Sequence, residues 1–208
     1  MRIATRLIGL AAVIAASVSC GDVVRQGSSP VFLVVDLLQG TRGGGASATP
    51  SSFLLSDVIT NVTSPAPCAP ATPCPTIFDD TGTAVLRAPL KDPGATAALS
   101  PTTNNEVTIN RVHIEYTRAD GRNTPGVDVP FPFDGAVTGT VPAGGTLTLS
   151  FELVRHVAKQ ESPLAQLRTS SNIITTITKV TFYGSDRVGN AISVTGQIQI
   201  NFGNFGDF

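Results

Sequence analysis

The sequence predicts an all-β fold built from two packed antiparallel sheets. Three observations carry that prediction. Charged residues make up only 14% of the 208-residue chain, well below the ~25% of an average soluble domain, which disfavours a solvated helical bundle or coiled coil. Toward the C-terminus, apolar and polar side chains alternate over long stretches, the period of a strand with one buried face. Glycine (20) and proline (15) punctuate the chain at short intervals, and no long helical pattern lies between them. The net charge of -1 argues against a nucleic-acid partner, which would select for clustered Lys and Arg.

Residues 1–19 read as a secretory signal peptide. Arg2 and Arg6 form a positive start, and Leu7 to Val18 is an apolar run too short to span a ~30 Å hydrocarbon core as a helix. The run ends in Ser17-Val18-Ser19-Cys20-Gly21, which resembles the signal of bacterial lipoproteins, with Ser17 standing where leucine is usual. The resemblance implies that Cys20 becomes the first mature residue and carries a diacylglyceryl thioether and an N-acyl group. One acyl chain anchors only marginally, whereas two or more hold a domain on a bilayer. The alternative is an ordinary signal peptide cleaved after Ser17 or Ser19, which frees the protein. Residues 20–29 are then a lipidated cysteine and a short polar tether, and residues 30–208 form a single β-sandwich domain, large enough for its own core.

Of the three cysteines, lipidation of Cys20 would leave Cys68 and Cys74 as a pair around a Pro-rich loop. A disulfide is the expected state in an oxidising compartment. Free thiols are the alternative, and zinc lacks nearby partners.

Val31 to Leu38 reads as a strand buried on both faces, although Ser29-Pro30 and Gly40 would also suit helix ends. Gln39 to Ser52, with Gly43-Gly44-Gly45, reads as a loop. Phe53 to Thr60 and Thr83 to Leu90 are further strands, the latter followed by a Lys91-Asp92-Pro93-Gly94 turn, and residues 95–104 are a polar loop. In Glu106 to Arg118 the apolar positions change parity, from Val107 and Ile109 to Val112, Ile114 and Tyr116. A strand does this only with an extra residue, so a β-bulge is expected near Asn110-Arg111. Thr146 to Arg155 alternates with Leu147, Leu149, Phe151 and Leu153 inward. Ser162-Pro163 before Leu164 to Leu167 predicts one helical turn with Ser162 as N-cap. Ile173 to Tyr183 is a long strand with Val180 and Phe182 inward. Ala119 to Asn123 and Asp186 to Asn190 are tight turns, the second closing a hairpin onto the alternating strand Ile192 to Phe202.

The stretch Thr181 to Asn190 with its following strand resembles the final hairpin of bacterial immunoglobulin-like domains. This likeness implies a two-sheet antiparallel immunoglobulin-like sandwich with at most one short helical turn. The whole chain is also similar to uncharacterised lipoproteins of Gram-negative bacteria, a class that brings no catalytic residue with it.

Candidate chemistry is sparse. Arg111, His113 and Glu115 share one outward face and read as a solvated stripe with a cross-strand ion pair. A dyad of His113 with His156 has no accompanying nucleophile or HExxH spacing. Asp79-Asp80 and Asp186/Asn190 read as turn residues satisfying backbone groups rather than as a cation site. Phe131 and Phe133, among prolines, read as an edge or as cover for the end of the core. The terminal Phe208 is compatible with an outer-membrane barrel, but no lipid-facing aromatic girdle accompanies it. No catalytic residue, metal or cofactor is expected. The reading is a lipid-anchored envelope protein, in the periplasm or on the outer surface, that binds or scaffolds another envelope protein or polymer. A polymerising surface or filament subunit, and a hydrolase with a dispersed site, are the alternatives.

Overall fold

Alternation along each strand decides which side chains meet between the layers, and the layers assemble accordingly. The computed structural model describes residues 28–44, 49–91 and 101–206. The expected signal peptide, Cys20 and most of its tether, Asp92 to Gly94 of the turn after Lys91, and Phe208 lie outside them. The strands are β1 (Val34–Thr41), β2 (Phe53–Asp57), β3 (Thr60–Val62), β4 (Cys74–Thr76), β5 (Asp80–Arg87), β6 (Val107–Thr117), β7 (Phe133–Val141), β8 (Thr146–Val154), β9 (Ile174–Asp186) and β10 (Ala191–Gly203). A three-stranded sheet, β1-β5-β8, faces a five-stranded sheet, β2-β10-β9-β6-β7, with β3 and β4 forming a small separate ribbon. The result is the expected all-β, two-sheet arrangement. All pairings are antiparallel except that of β2, which adds parallel to β10 through Phe53–Gln199 and Asp57–Gly203.

The core follows the parities of the sequence. Leu149, Phe151 and Leu153 of β8 are buried, as are Ile198, Ile200 and Phe202 of β10 and Val180 and Phe182 of β9. Phe151 meets Phe182 edge to face at 5.4 Å, and Tyr116 meets Phe202 in the same way at 5.8 Å, an arrangement that adds to simple burial. Gly82 of β5 makes room for Phe151, because a Cβ there would lie 2.4 Å from the ring. The Tyr116 hydroxyl donates to the Leu153 carbonyl at 2.8 Å, tying β6 in one sheet to β8 in the other. Burial strongly opposes ionisation of that phenol, so it remains a donor.

The bulge expected in β6 is present. Ile109 pairs with Gly184 and Arg111 with Tyr183, leaving Asn110 as the extra residue on the side of β9. Val107, Ile109, Val112, Ile114 and Tyr116 are consequently all buried, although they do not share one parity. In β9 the inward parity continues to Thr176 and Thr178, both fully buried, while Ile177 stays exposed. Their hydroxyls are 3.1 Å apart, and that of Thr176 also donates to the Ile200 carbonyl. Strand geometry thus overrides residue hydrophobicity at these positions.

Several expectations need correction: Gln39 to Thr41, expected in a loop, complete β1, Asp80, expected in a turn, opens β5, and three larger differences follow. The first apolar run is not buried on both faces. It forms an edge strand, β1, with a register shift around Asp36, and Phe32 and Leu37 are exposed. Burial of both faces needs a packed layer on each side of the sheet, and β1, paired with β5 along its length and with Ser51 only at Gly40, lies at the sheet's edge with side chains left exposed. The strand from Phe53 does not run on to Thr60. It breaks after Asp57, whose carboxylate accepts from the Ile59 and Phe205 N–H groups. The helical turn is present as a 3₁₀ segment, Leu164–Thr169, but Ser162 does not cap it. Ser162 Oγ instead accepts from the Gln166 side chain. Two more 3₁₀ turns occur, at Thr103–Asn105 and Val157–Gln160, so the described residues hold more than the one short helical turn expected.

Deleting Asn110 should drive Val112, Ile114 and Tyr116 to the wet face and abolish cooperative unfolding in urea. Asn110→Ala, which keeps the extra residue, should change stability by no more than ~0.5 kcal/mol.

Candidate functional site

The most heavily built polar cluster lies inside the sandwich. Asp80 opens β5 on the inward parity that continues through Gly82, Ala84 and Leu86, and it is fully buried. Lys159 sits in the 3₁₀ turn that follows β8 and is 1% exposed. Its Nζ lies 2.8 Å from Asp80 Oδ2. The Ser56 hydroxyl of β2 donates to the same oxygen at 2.6 Å, and the Gly43 N–H donates to Oδ1 at 2.9 Å. Burial pushes the Asp80 carboxyl upward, and the adjacent Lys159, Ser56 and Gly43 pull against that displacement. The Lys159 carbonyl accepts from Arg168, whose own carbonyl accepts from Asn204 just beyond β10. Three segments distant in sequence therefore converge on the carboxyl group of a fourth.

By sequence Asp80 reads as a turn residue, and no local pattern singles out Lys159 or Ser56. The signal for Asp80 was present, since counting back by twos from Leu86 arrives at it. Lys159 has no such signature, because a 3₁₀ turn carries no strand parity.

Cys68 and Cys74 form the expected disulfide, with Cα atoms 5.4 Å apart. It closes the loop between β3 and β4, where Val62 pairs with Cys74. Closing so short a loop contributes on the order of 2 kcal/mol.

The outward stripe has the expected form. Arg111 Nη1 and His113 Nδ1 lie 3.1 and 3.2 Å from Asp134 Oδ1 on β7, and Glu115 pairs with Lys179 on β9. The Arg111 guanidinium also stacks 3.8 Å over the Tyr183 ring. These are solvent-facing contacts of small individual weight. His156 precedes the 157–160 turn and approaches Gln160. Phe133 is buried beneath the Arg155 guanidinium, whereas Phe131 is 50% exposed. Asp79 stands beside the buried Asp80 and does not share its role. Asp186 behaves as a turn residue, taking N–H bonds from Val188 and Asn190 and one from the Asn190 side chain.

A groove of about 500 Å³ opens along one side of the sandwich. Val34 to Leu38 of β1, Ser52, and Val194 to Gln197 of β10 line it. Side chains alternate between faces of a strand, so a lining of consecutive residues means that strand edges, not faces, bound the groove. Among the described residues, no strand pairs with the outer edge of β1 from Val34 to Leu38, nor with that edge of β10 before Gln199. Gly196 keeps the groove floor low, since a Cβ there would come within 3.1 Å of Leu38. Val35, Leu38 and Val194 supply a partly buried apolar lining.

No helix among the described residues is long and apolar enough to cross a membrane. No protein-family model matches the chain, and no curated protein matches it.

The Asp186 bonds give a pH dependence with a definite sign. Burial opposes ionisation of this carboxyl, but the Asn190 and Val188 donors outweigh it and hold the group below its usual value of 3.8. A depressed carboxyl stabilises the fold above its unfolded pKa, and that contribution disappears as pH falls through the folded value. The stability difference between wild type and Asp186→Ala, followed by urea unfolding, should be full at pH 6 and shrink steadily below about pH 4.

Proposed function

We propose that the chain is an exported protein held on a bilayer of the bacterial envelope through a lipid on Cys20. In this reading its immunoglobulin-like sandwich is a binding or scaffolding module, not a catalyst. The N-terminal pattern supports the anchor: Arg2 and Arg6, a short apolar run, and Ser17 to Gly21. Ser29 is buried and Val31 bridges to Leu90, so the expected tether, residues 20–29, ends in a residue already packed on the domain.

The groove between β1 and β10 carries the binding part of the reading. Its two unpaired edges offer backbone donors and acceptors that an added strand would satisfy, and its apolar lining offers pockets for alternate side chains. The occupant proposed is an extended segment of an envelope protein. It would pair along β10, where Ala191 to Ile198 pairs with β9 without a register shift. The Asp36 bulge interrupts the corresponding edge of β1. The same edges favour the second reading, a self-assembling surface subunit, if the inserted strand comes from another copy.

Palmitate should label the wild-type chain and fail to label Cys20→Ala, and the variant should move from the membrane to the soluble fraction. Labelling that survives the substitution would contradict the anchor. A photoreactive residue at position 37, in place of the exposed Leu37, should crosslink in intact cells to one defined polypeptide segment. A crosslink to a second copy would transfer the reading to self-assembly, and the absence of any polypeptide adduct would overturn the groove's role.

A further inference from the structure

We propose that Lys159 and Asp80 condense to form an intramolecular amide bond, a covalent strut through the centre of the sandwich. The inference is independent of the anchor and of the groove.

The geometry has the parts that such a condensation needs. The amine and the carboxyl group are already in contact, at 2.8 Å between Nζ and Oδ2, and both residues are sealed from solvent. Holding reactants together in this way replaces a bimolecular encounter with an effectively unimolecular step. Desolvation penalises both charges. Condensation starts from the neutral amine and neutral acid, which passage of one proton from Lys159 to Asp80 supplies. The upward displacement of Asp80 by burial acts in the same direction.

The two carboxyl oxygens have different surroundings, and the difference matches their roles. The amine nitrogen adds to Cγ of the Asp80 acid. Oδ1 then carries the developing negative charge, and the Gly43 N–H at 2.9 Å is aimed at it, as an oxyanion donor is. Oδ2 is the oxygen approached by both Nζ and the Ser56 hydroxyl at 2.6 Å. The proton surrendered by the attacking nitrogen reaches Oδ2 directly or through Ser56, and Oδ2 leaves as water. One C–N bond forms, one C–O bond breaks, and one water is released, with no oxidant or external reactant. The dry interior then protects the amide from hydrolysis.

The strut would connect the first residue of β5 to the turn after β8, two segments already adjacent through the pairing of Asp80 with Val154. A covalent tie at this point does not open when the two strands separate.

Peptide mapping of the full-length protein, digested with trypsin after denaturation and reduction, tests the proposal. Residues 156–168 should be recovered joined to residues 43–87, lighter than the two peptides by one water, with no cleavage after Lys159. Lys159→Arg should lose this product completely. Asp80→Asn should still give it by releasing ammonia instead of water, which separates amide formation from mere ion pairing. Recovery of a free peptide ending at Lys159, together with an unlinked 43–87 peptide, would overturn the proposal on the wild-type protein alone, whether or not either variant folds.

Discussion

Taking the Asp80 carboxyl and the Lys159 amine out of water costs several kcal/mol for each charge, and their attraction offsets this only when the remaining hydrogen-bonding positions are also filled. That requirement organises the sandwich. Asp80 belongs to the three-stranded sheet, Ser56 to the five-stranded sheet, Gly43 to the chain leaving β1, and Lys159 to the turn leaving β8. None of the four can be displaced without leaving a buried polar group unmatched. Interdigitated hydrophobic contacts between the layers are stronger in total, and this cluster adds a directional constraint to them. Tyr116, donating across the layers to Leu153, adds a second fixed point. Together they explain how two sheets rich in Val, Ile and Thr settle on one relative position.

The outer surfaces follow a different economy. Exposed ion pairs such as Arg111–Asp134 and Lys179–Glu115 contribute little to stability and serve chiefly to keep β6, β7 and β9 soluble on their outer face. The edges are less uniform. β1 is interrupted by a bulge and carries Asp36 paired with Arg87, devices that discourage unspecific strand pairing. Most of β10 has no such device on the side facing β1, and its own Gly196 keeps the groove floor low. The groove therefore has one guarded edge and one open edge.

Much of this was legible in the sequence, and the exceptions have physical causes. Period-two patterns locate β6, β8, β9 and β10, and the change of parity at Asn110 marks the bulge. The Cys68–Cys74 bridge followed from cysteine arithmetic. The reading went astray where environment, not local pattern, decides. Val31 to Leu38 looks like a central strand, but its neighbours are set by topology, and it lies at an edge. Ser162 has the chemistry of a cap but uses its oxygen on Gln166. Asp80 beside Asp79 looks like turn chemistry because the compensating charge lies far along the chain, in a turn without periodicity. The groove was invisible because it depends on which strand edges remain unpaired, a property of sheet order that no single segment encodes.

The claim on which the account rests is that Asp80 and Lys159 act as one unit at the centre of the fold. A double-mutant cycle with Asp80→Leu, Lys159→Met and the combined variant, read by urea unfolding, measures this directly. Each single substitution should cost about 3–5 kcal/mol by stranding its buried partner, and the combined variant should cost far less than the two added together. Single costs below ~0.5 kcal/mol that simply add would contradict the account.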